Sequence, residues 1–183
     1  MTAADMEREG LLRPYLRPDE RLVWTGAPQR GLVLTGQDVF LIPFSLLWGG
    51  FALFWEATVL MSGGPGFMAL FGVPFVVIGL FMIFGRFLVD AAIRRRMVYG
   101  LTDRRAIVLR RTFGESVSST ALGGDIGLDR HGRTGTIRFG AQPSMFVFGA
   151  GMGWSIWIPS LSPVPRFLRI ADADKVYGLA TGR

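Results

Sequence analysis

The chain contains no cysteine. This excludes a disulfide framework, a thiolate zinc site, an iron–sulfur cluster and a cysteine nucleophile. Its single histidine, His131, lies between Arg130 and Gly132-Arg133 in a turn, so no multi-histidine metal site can form and a Ser-His-Asp triad lacks support. Charge is absent over a long stretch: from Val39 to Gly85 the only charged side chain is Glu56. Asp103, Asp125 and Asp129 fall in separate turns and make a poor metal set. Gly149-Ala150-Gly151-Met152-Gly153 alternates glycine, but no Lys-Ser/Thr follows it, so it is not a phosphate-binding loop. No catalytic constellation is present, and the chain is expected to be non-enzymatic and to carry no cofactor.

What the chain has in excess is apolar surface. Half of its 183 residues are hydrophobic and the mean hydropathy is +0.37, too high for an ordinary soluble domain of this length. Two runs carry it, Val39–Met61 and Phe67–Gly85. Each reaches the ~20 residues needed to cross a bilayer as a helix. The second run holds twelve Leu, Ile, Val or Phe residues, together contributing about −4 to −7 kcal/mol to insertion. The acids Glu7, Glu9, Asp19 and Glu20 precede the first run, which argues against a secretory signal.

Between the runs, Ser62-Gly63-Gly64-Pro65-Gly66 is turn chemistry, too short to cross a bilayer again, so the helices must be antiparallel neighbours. The turn is uncharged, whereas Arg86, Arg94, Arg95 and Arg96 follow the second run. Positive residues stay inside, so both termini are expected to be cytoplasmic and the turn periplasmic or external. A transmembrane hairpin is expected within residues 38–96, with helices at about 39–61 and 67–89. Ser45 and Gly49 have small-xxx-small spacing, which leaves room for an oligomer without requiring one. Glu56 stands about 8 Å from the end of its run. An ionisable residue in a span is a functional candidate, but beside Trp55 the favoured reading is an interfacial side chain rather than a proton or ion ligand.

Outside the hairpin, net charge is zero over residues 1–37 and +5 over residues 97–183. Met1–Gly10 is expected to be mobile. Leu22-Val23-Trp24, between two proline turns, forms a short strand that needs a partner on the same face, and the domain of residues 97–183 is the expected one. That domain shows short strands with turn signals every eight to twelve residues. The strands are Met97–Leu101, Ala106–Arg111, Glu115–Leu122, Ile126–Arg130, Thr134–Phe139, Phe146–Phe148, Trp154–Pro159 and Arg166–Ile170. Asp172-Ala173-Asp174 opens a final helix, expected to pack against Trp154, Ile156 or Trp157. The fold class is therefore mixed: a two-helix hairpin plus an all-β barrel or sandwich of antiparallel strands closed by a C-terminal helix.

Three stretches resemble the bacterial pleckstrin-homology-like (PH-like) domain family, in particular its membrane-anchored members. Leu16 to Pro28 resembles the family's opening Pro-x-Glu, aromatic, Gly-x-Pro pattern. Tyr99-Gly100-Leu101-Thr102-Asp103-Arg104-Arg105-Ala106-Ile107 resembles its Thr-Asn/Asp-x-Arg signature. Gly135–Gly140 and Ile170–Tyr177 are similar to its later strand and final helix. The resemblance implies a barrel of about seven strands plus a helix, and an interaction fold with little activity.

The candidate contact residues are basic. Arg104 and Arg105 occupy a turn, Arg110 and Arg111 end the paired strand, and Arg94-Arg95-Arg96 follows the hairpin. Arg suits bidentate phosphate contacts, so anionic phospholipid headgroups or an unknown protein are the expected partners, with the lipid bilayer itself. The bland alternatives are a solvated turn and a simple topology anchor, since lipid-binding tracts usually hold roughly 4–8 basic residues. Nucleic acid is disfavoured because no stacking motif accompanies the charge. The leading expectation is protein or anionic-lipid interaction at the membrane surface. The competing one is a subunit of an oligomeric channel or transporter built around Glu56.

Overall fold

A computed structural model describes residues 2–112, 114–140, 153–162 and 164–182. The chain opens with helix α1 (Ala3–Leu12). Thr2 and Asp5 close a capping box, with Asp5 N–H donating to Thr2 Oγ at 3.3 Å and Thr2 N–H to Asp5 Oδ2 at 2.8 Å. This corrects the expectation of a mobile segment. A Thr-x-x-Asp box satisfies otherwise orphaned amides, and Leu12 at the helix end is fully buried.

Strand β1 (Leu22–Gly26) leads, through an irregular loop, into α2 (Asp38–Met61) and then α3 (Gly66–Leu80). A five-residue π-helical turn, Phe81–Gly85, joins α3 to α4 (Arg86–Arg94). The two resulting rods, Asp38–Met61 and Gly66–Arg94, are long and apolar enough to cross a membrane. The second is 29 residues long, about 43 Å, and continues past the expected end near residue 89.

The rods are antiparallel and meet through small side chains. Ser45, Gly49 and Ala52 are buried on α2, and Gly72 and Gly79 on α3, with Gly49 against Gly79 and Gly72 against Trp55 and Glu56. A Cβ at Gly79 would stand 2.8 Å from Gly49 Cα, so backbone touches backbone there. The small-residue spacing is thus occupied within the hairpin. The apolar rims, including Phe40, Leu47, Phe54, Leu70 and Phe84, are exposed.

The remaining strands are β2 (Met97–Thr102), β3 (Arg105–Arg111), β4 (Glu115–Ala121), β5 (Ile126–His131), β6 (Thr134–Phe139) and β7 (Arg166–Ile170). They form two antiparallel sheets, ordered β1-β2-β3-β4 and β5-β6-β7, and no ladder joins the two among the described residues. β1 pairs with β2, Trp24 opposite Leu101 and Gly26 opposite Tyr99, so the expected partnership across the hairpin holds. The two-residue loop Gly132-Arg133 needs a positive φ at its first position, and Gly132 supplies φ 62°.

Alternation explains the core. Tyr99, Leu101, Ala106 and Val108 face a cluster shared with Ile137, Phe139, Phe167 and Val176. Val98, Ile107 and Leu109 face the other way, under Leu12 of α1. The first sheet is covered on both faces, which is why Ala106–Leu109 is a continuous apolar run.

The last helix, α6 (Ala173–Thr181), packs on β5 and β6, with Ala173 over Gly135. Of its expected partners, Trp157 does border the same core. The expected strand Trp154–Pro159 is instead helix α5 (Gly153–Trp157) and a 3-10 turn, Pro159–Leu161. Its aromatic and β-branched content suits a strand, yet Ile158 fills the core without a ladder and the Ser160 N–H is taken up by Asp90 Oδ1 at 3.0 Å. The other expected strand, Phe146–Phe148, and the glycine-rich residues 149–152 lie outside the described residues.

Candidate functional site at the foot of the hairpin

The end of the hairpin that bears the β-domain concentrates charge. On α4, Arg86, Asp90, Ile93 and Arg94 are all buried, at spacings that place them on one helical face. Arg86 Nη1 donates to Asp38 Oδ1 at 2.6 Å and joins the two rods at their base. Its Nε–H donates to Met82 O inside the π-helical turn, and the guanidinium lies 4.1 Å from the Phe87 ring centroid and 5.9 Å from that of Trp157. Arg94 Nε donates to Asp90 Oδ2 at 2.8 Å, while its terminal nitrogens donate to Gln29 O and Gly31 O. That side chain ties the loop after β1 to α4. Of the three consecutive arginines, Arg94 is therefore buried and saturated, whereas Arg95 and Arg96 are exposed.

The basic turn divides in the same way. Arg104 is exposed. Arg105 grips Glu20 with two hydrogen bonds, Nε to Oε1 at 2.8 Å and Nη2 to Oε2 at 2.9 Å, and also reaches Tyr15 O. The Arg105 guanidinium, aided by Arg17 N–H and the Thr102 hydroxyl, holds the Glu20 carboxyl down at about 2 against an ordinary 4.5. Glu20 in turn pushes the Arg105 pKa up. Arg110 is half-buried and donates to Ser162 O at 2.7 Å. Arg111 is exposed, 3.9 Å from Glu115. Arg95, Arg96 and Arg104 form no ion pair among the described residues.

Glu56 lies near the opposite end of the hairpin. Its Oε2 is buried against Gly72, where a Cβ would overlap it, and has no hydrogen-bond partner among the described residues. It is thus remote from the basic cluster. Among the described residues no group of three or more His, Asp or Glu residues could hold a metal ion.

Asp38, Asp90 and Glu20 are functional neighbours that composition alone did not single out. The i, i+4, i+8 spacing of Arg86, Asp90 and Arg94 was the available signal, because it stacks alternating charges on one face. Comparison with known proteins finds no matching family model, no matching curated protein and no matching solved structure.

Proposed function

We propose that the chain is a non-enzymatic integral membrane protein whose hairpin crosses a bacterial plasma membrane and holds a PH-like domain on its cytoplasmic face. There the domain engages anionic phospholipid or a protein partner. The observation that carries this reading is the sorting of the basic residues. Arg95, Arg96 and Arg104 are exposed and unpaired, and the first two emerge directly from the second apolar rod. Such charges each gain about 1 kcal/mol from an anionic surface. Two antiparallel sheets of four and three strands that share a core, followed by a helix, support the domain assignment; closure of the two sheets into a barrel is part of the proposal.

Two experiments test it. In this cysteine-free chain, Gly64→Cys is expected to label from outside intact cells and Arg133→Cys only after lysis; the reverse pattern, or both labelling together, overturns the topology. Lipids retained by the purified full chain are expected to be enriched in anionic species. An Arg95→Ala/Arg96→Ala/Arg104→Ala variant should lose that enrichment, and equal retention by both proteins overturns the lipid reading. Crosslinking in cells identifies a protein partner instead.

A channel or transporter subunit is the second reading, supported by the unpartnered Glu56 oxygen. Two rods enclose no pathway unless copies assemble. A strictly monomeric species in detergent and in nanodiscs overturns it.

A further inference from the structure

A second basic feature lies beside the foot of the hairpin and is built differently from the exposed arginines. Arg110 on β3 and Arg166 on β7 converge on a pocket also lined by Met97, Ser160, Ser162 and Leu168, with about 170 Å³ of open space, solvent included. Each guanidinium spends one terminal nitrogen on a loop carbonyl, Arg110 on Ser162 O and Arg166 on Pro159 O. The Nε–H groups of both arginines and the Ser160 hydroxyl are buried and meet no partner among the described residues. Buried donors without acceptors are costly.

The charge balance points the same way. Burial lowers the pKa of both arginines; at Arg166, Tyr99 and Asp90 offset part of this effect, while Arg110 and Arg138 add to it. Arg138 stands directly opposite Arg166 across the β6–β7 ladder, where like charges destabilise a sheet. Two acids are near. Asp129 engages Arg138 at 3.1 Å, and Asp90 is already bonded to Arg94 and to Ser160 N–H. The pocket therefore holds an excess of positive charge and three free donors in one place.

We propose that this pocket binds a phosphate-type anion, held by Arg110, Arg166 and Ser160. A tetrahedral oxyanion offers acceptors in several directions and matches guanidinium geometry. Ser160 is fixed by Asp90, one turn, about 6 Å, beyond Arg86 on α4. Inorganic phosphate and a lipid phosphomonoester headgroup thus present the same chemistry to the site. The lipid source rests on the membrane reading above; the phosphate site does not.

The test titrates the full chain in neutral detergent at pH 7 with inorganic phosphate, against sodium chloride of matched ionic strength. Calorimetry and melting temperature are the readouts. Phosphate is expected to bind and to raise Tm. Arg110→Gln and Arg166→Gln should each weaken binding roughly 10- to 100-fold, the loss of one charge-assisted hydrogen bond, and Ser160→Ala about 2- to 10-fold. The melting temperature of each variant in chloride, read beside that of the wild type, separates a lost ligand from a lost fold. Ser160→Ala leaves both guanidinium contacts to carbonyls in place and serves where an arginine variant does not fold. The same titration in nanodiscs distinguishes the sources. If phosphatidic acid nanodiscs abolish phosphate binding and phosphatidylcholine nanodiscs preserve it, the anion is a headgroup; if both preserve it, the anion is free phosphate. No phosphate binding in detergent, or binding that survives all three substitutions, overturns the site.

Discussion

Arg105→Gln separates a structural guanidinium from a lipid contact. Arg105 makes a two-point contact with Glu20, whose side chain is completely buried, and reaches the carbonyl of Tyr15. It thereby fastens the segment between α1 and β1 to the turn between β2 and β3. The displacement of the Glu20 carboxyl from 4.5 to about 2 corresponds to about 3 kcal/mol at neutral pH. Arg105 is the largest contributor, with Arg17 N–H and Thr102 adding to it. Removing one partner of a buried pair costs about 3–5 kcal/mol by comparison with other proteins. A loss of about 3 kcal/mol is therefore expected, roughly 10 °C in Tm for a domain of this size. Tryptophan fluorescence in detergent reports it, because Trp24 lies on β1.

The sign with pH follows from the depressed carboxyl. The pair's contribution is complete above the unfolded-state value near 4.5 and disappears as pH falls through about 2. The gap between wild type and variant should be full at pH 6 and narrow below 4.5. If Arg105→Gln instead melts like the wild type while losing retained anionic lipid, the ion pair contributes little and Arg105 acts at the surface.

Two further substitutions probe other joints. Gly79→Leu places a side chain where even a Cβ would stand 2.8 Å from Gly49 Cα, so the rods must separate; a lower thermal midpoint of the hairpin and weaker protection of its amides in hydrogen exchange are expected. Thr2→Ala removes one half of the α1 capping box and should cost about 1 kcal/mol, seen as faster proteolysis within residues 3–12 with little change elsewhere.

The hairpin and most strands were legible because their signals are local. A turn of five small residues, an uncharged run of helical length and the pair Gly132-Arg133 each dictate structure within a few positions. The pairing of β1 with β2 was legible for a different reason: a lone apolar strand has to find an edge. The fates of neighbouring arginines were not. Arg94, Arg95 and Arg96 are identical in chemistry, and successive residues on a helix point about 100° apart, so only the position of the loop at Gln29–Gly31 decides that Arg94 is the buried one. Arg104 and Arg105 differ in the same way, through Glu20, 85 positions before Arg105. Trp154–Pro159 failed because strand-forming composition there fills a core from helical turns.

The buried pair Asp38–Arg86 has a role that stability alone does not explain. Such a pair is weak evidence for stability, because desolvation offsets its attraction. Apart from the close approach of Gly49 and Gly79, the surface it locks is made of apolar contacts such as Trp48 against Phe75, with centroids 6.4 Å apart, which are not directional. An ion pair at the base permits one register only, a role documented for buried polar residues between helices. The double variant Asp38→Leu/Arg86→Leu should therefore keep a folded hairpin of similar thermal stability yet lose the unique register. Cysteines at positions 48 and 75 report the native register, and cysteines at 48 and 71 report one shifted by a turn. With a short bifunctional maleimide, the chain with its ion pair should crosslink efficiently only in the first arrangement, and the double-leucine chain in both. Equal selectivity in the two backgrounds would show that the small-residue interface sets the register by itself, leaving the ion pair only to neutralise charge beneath Trp157.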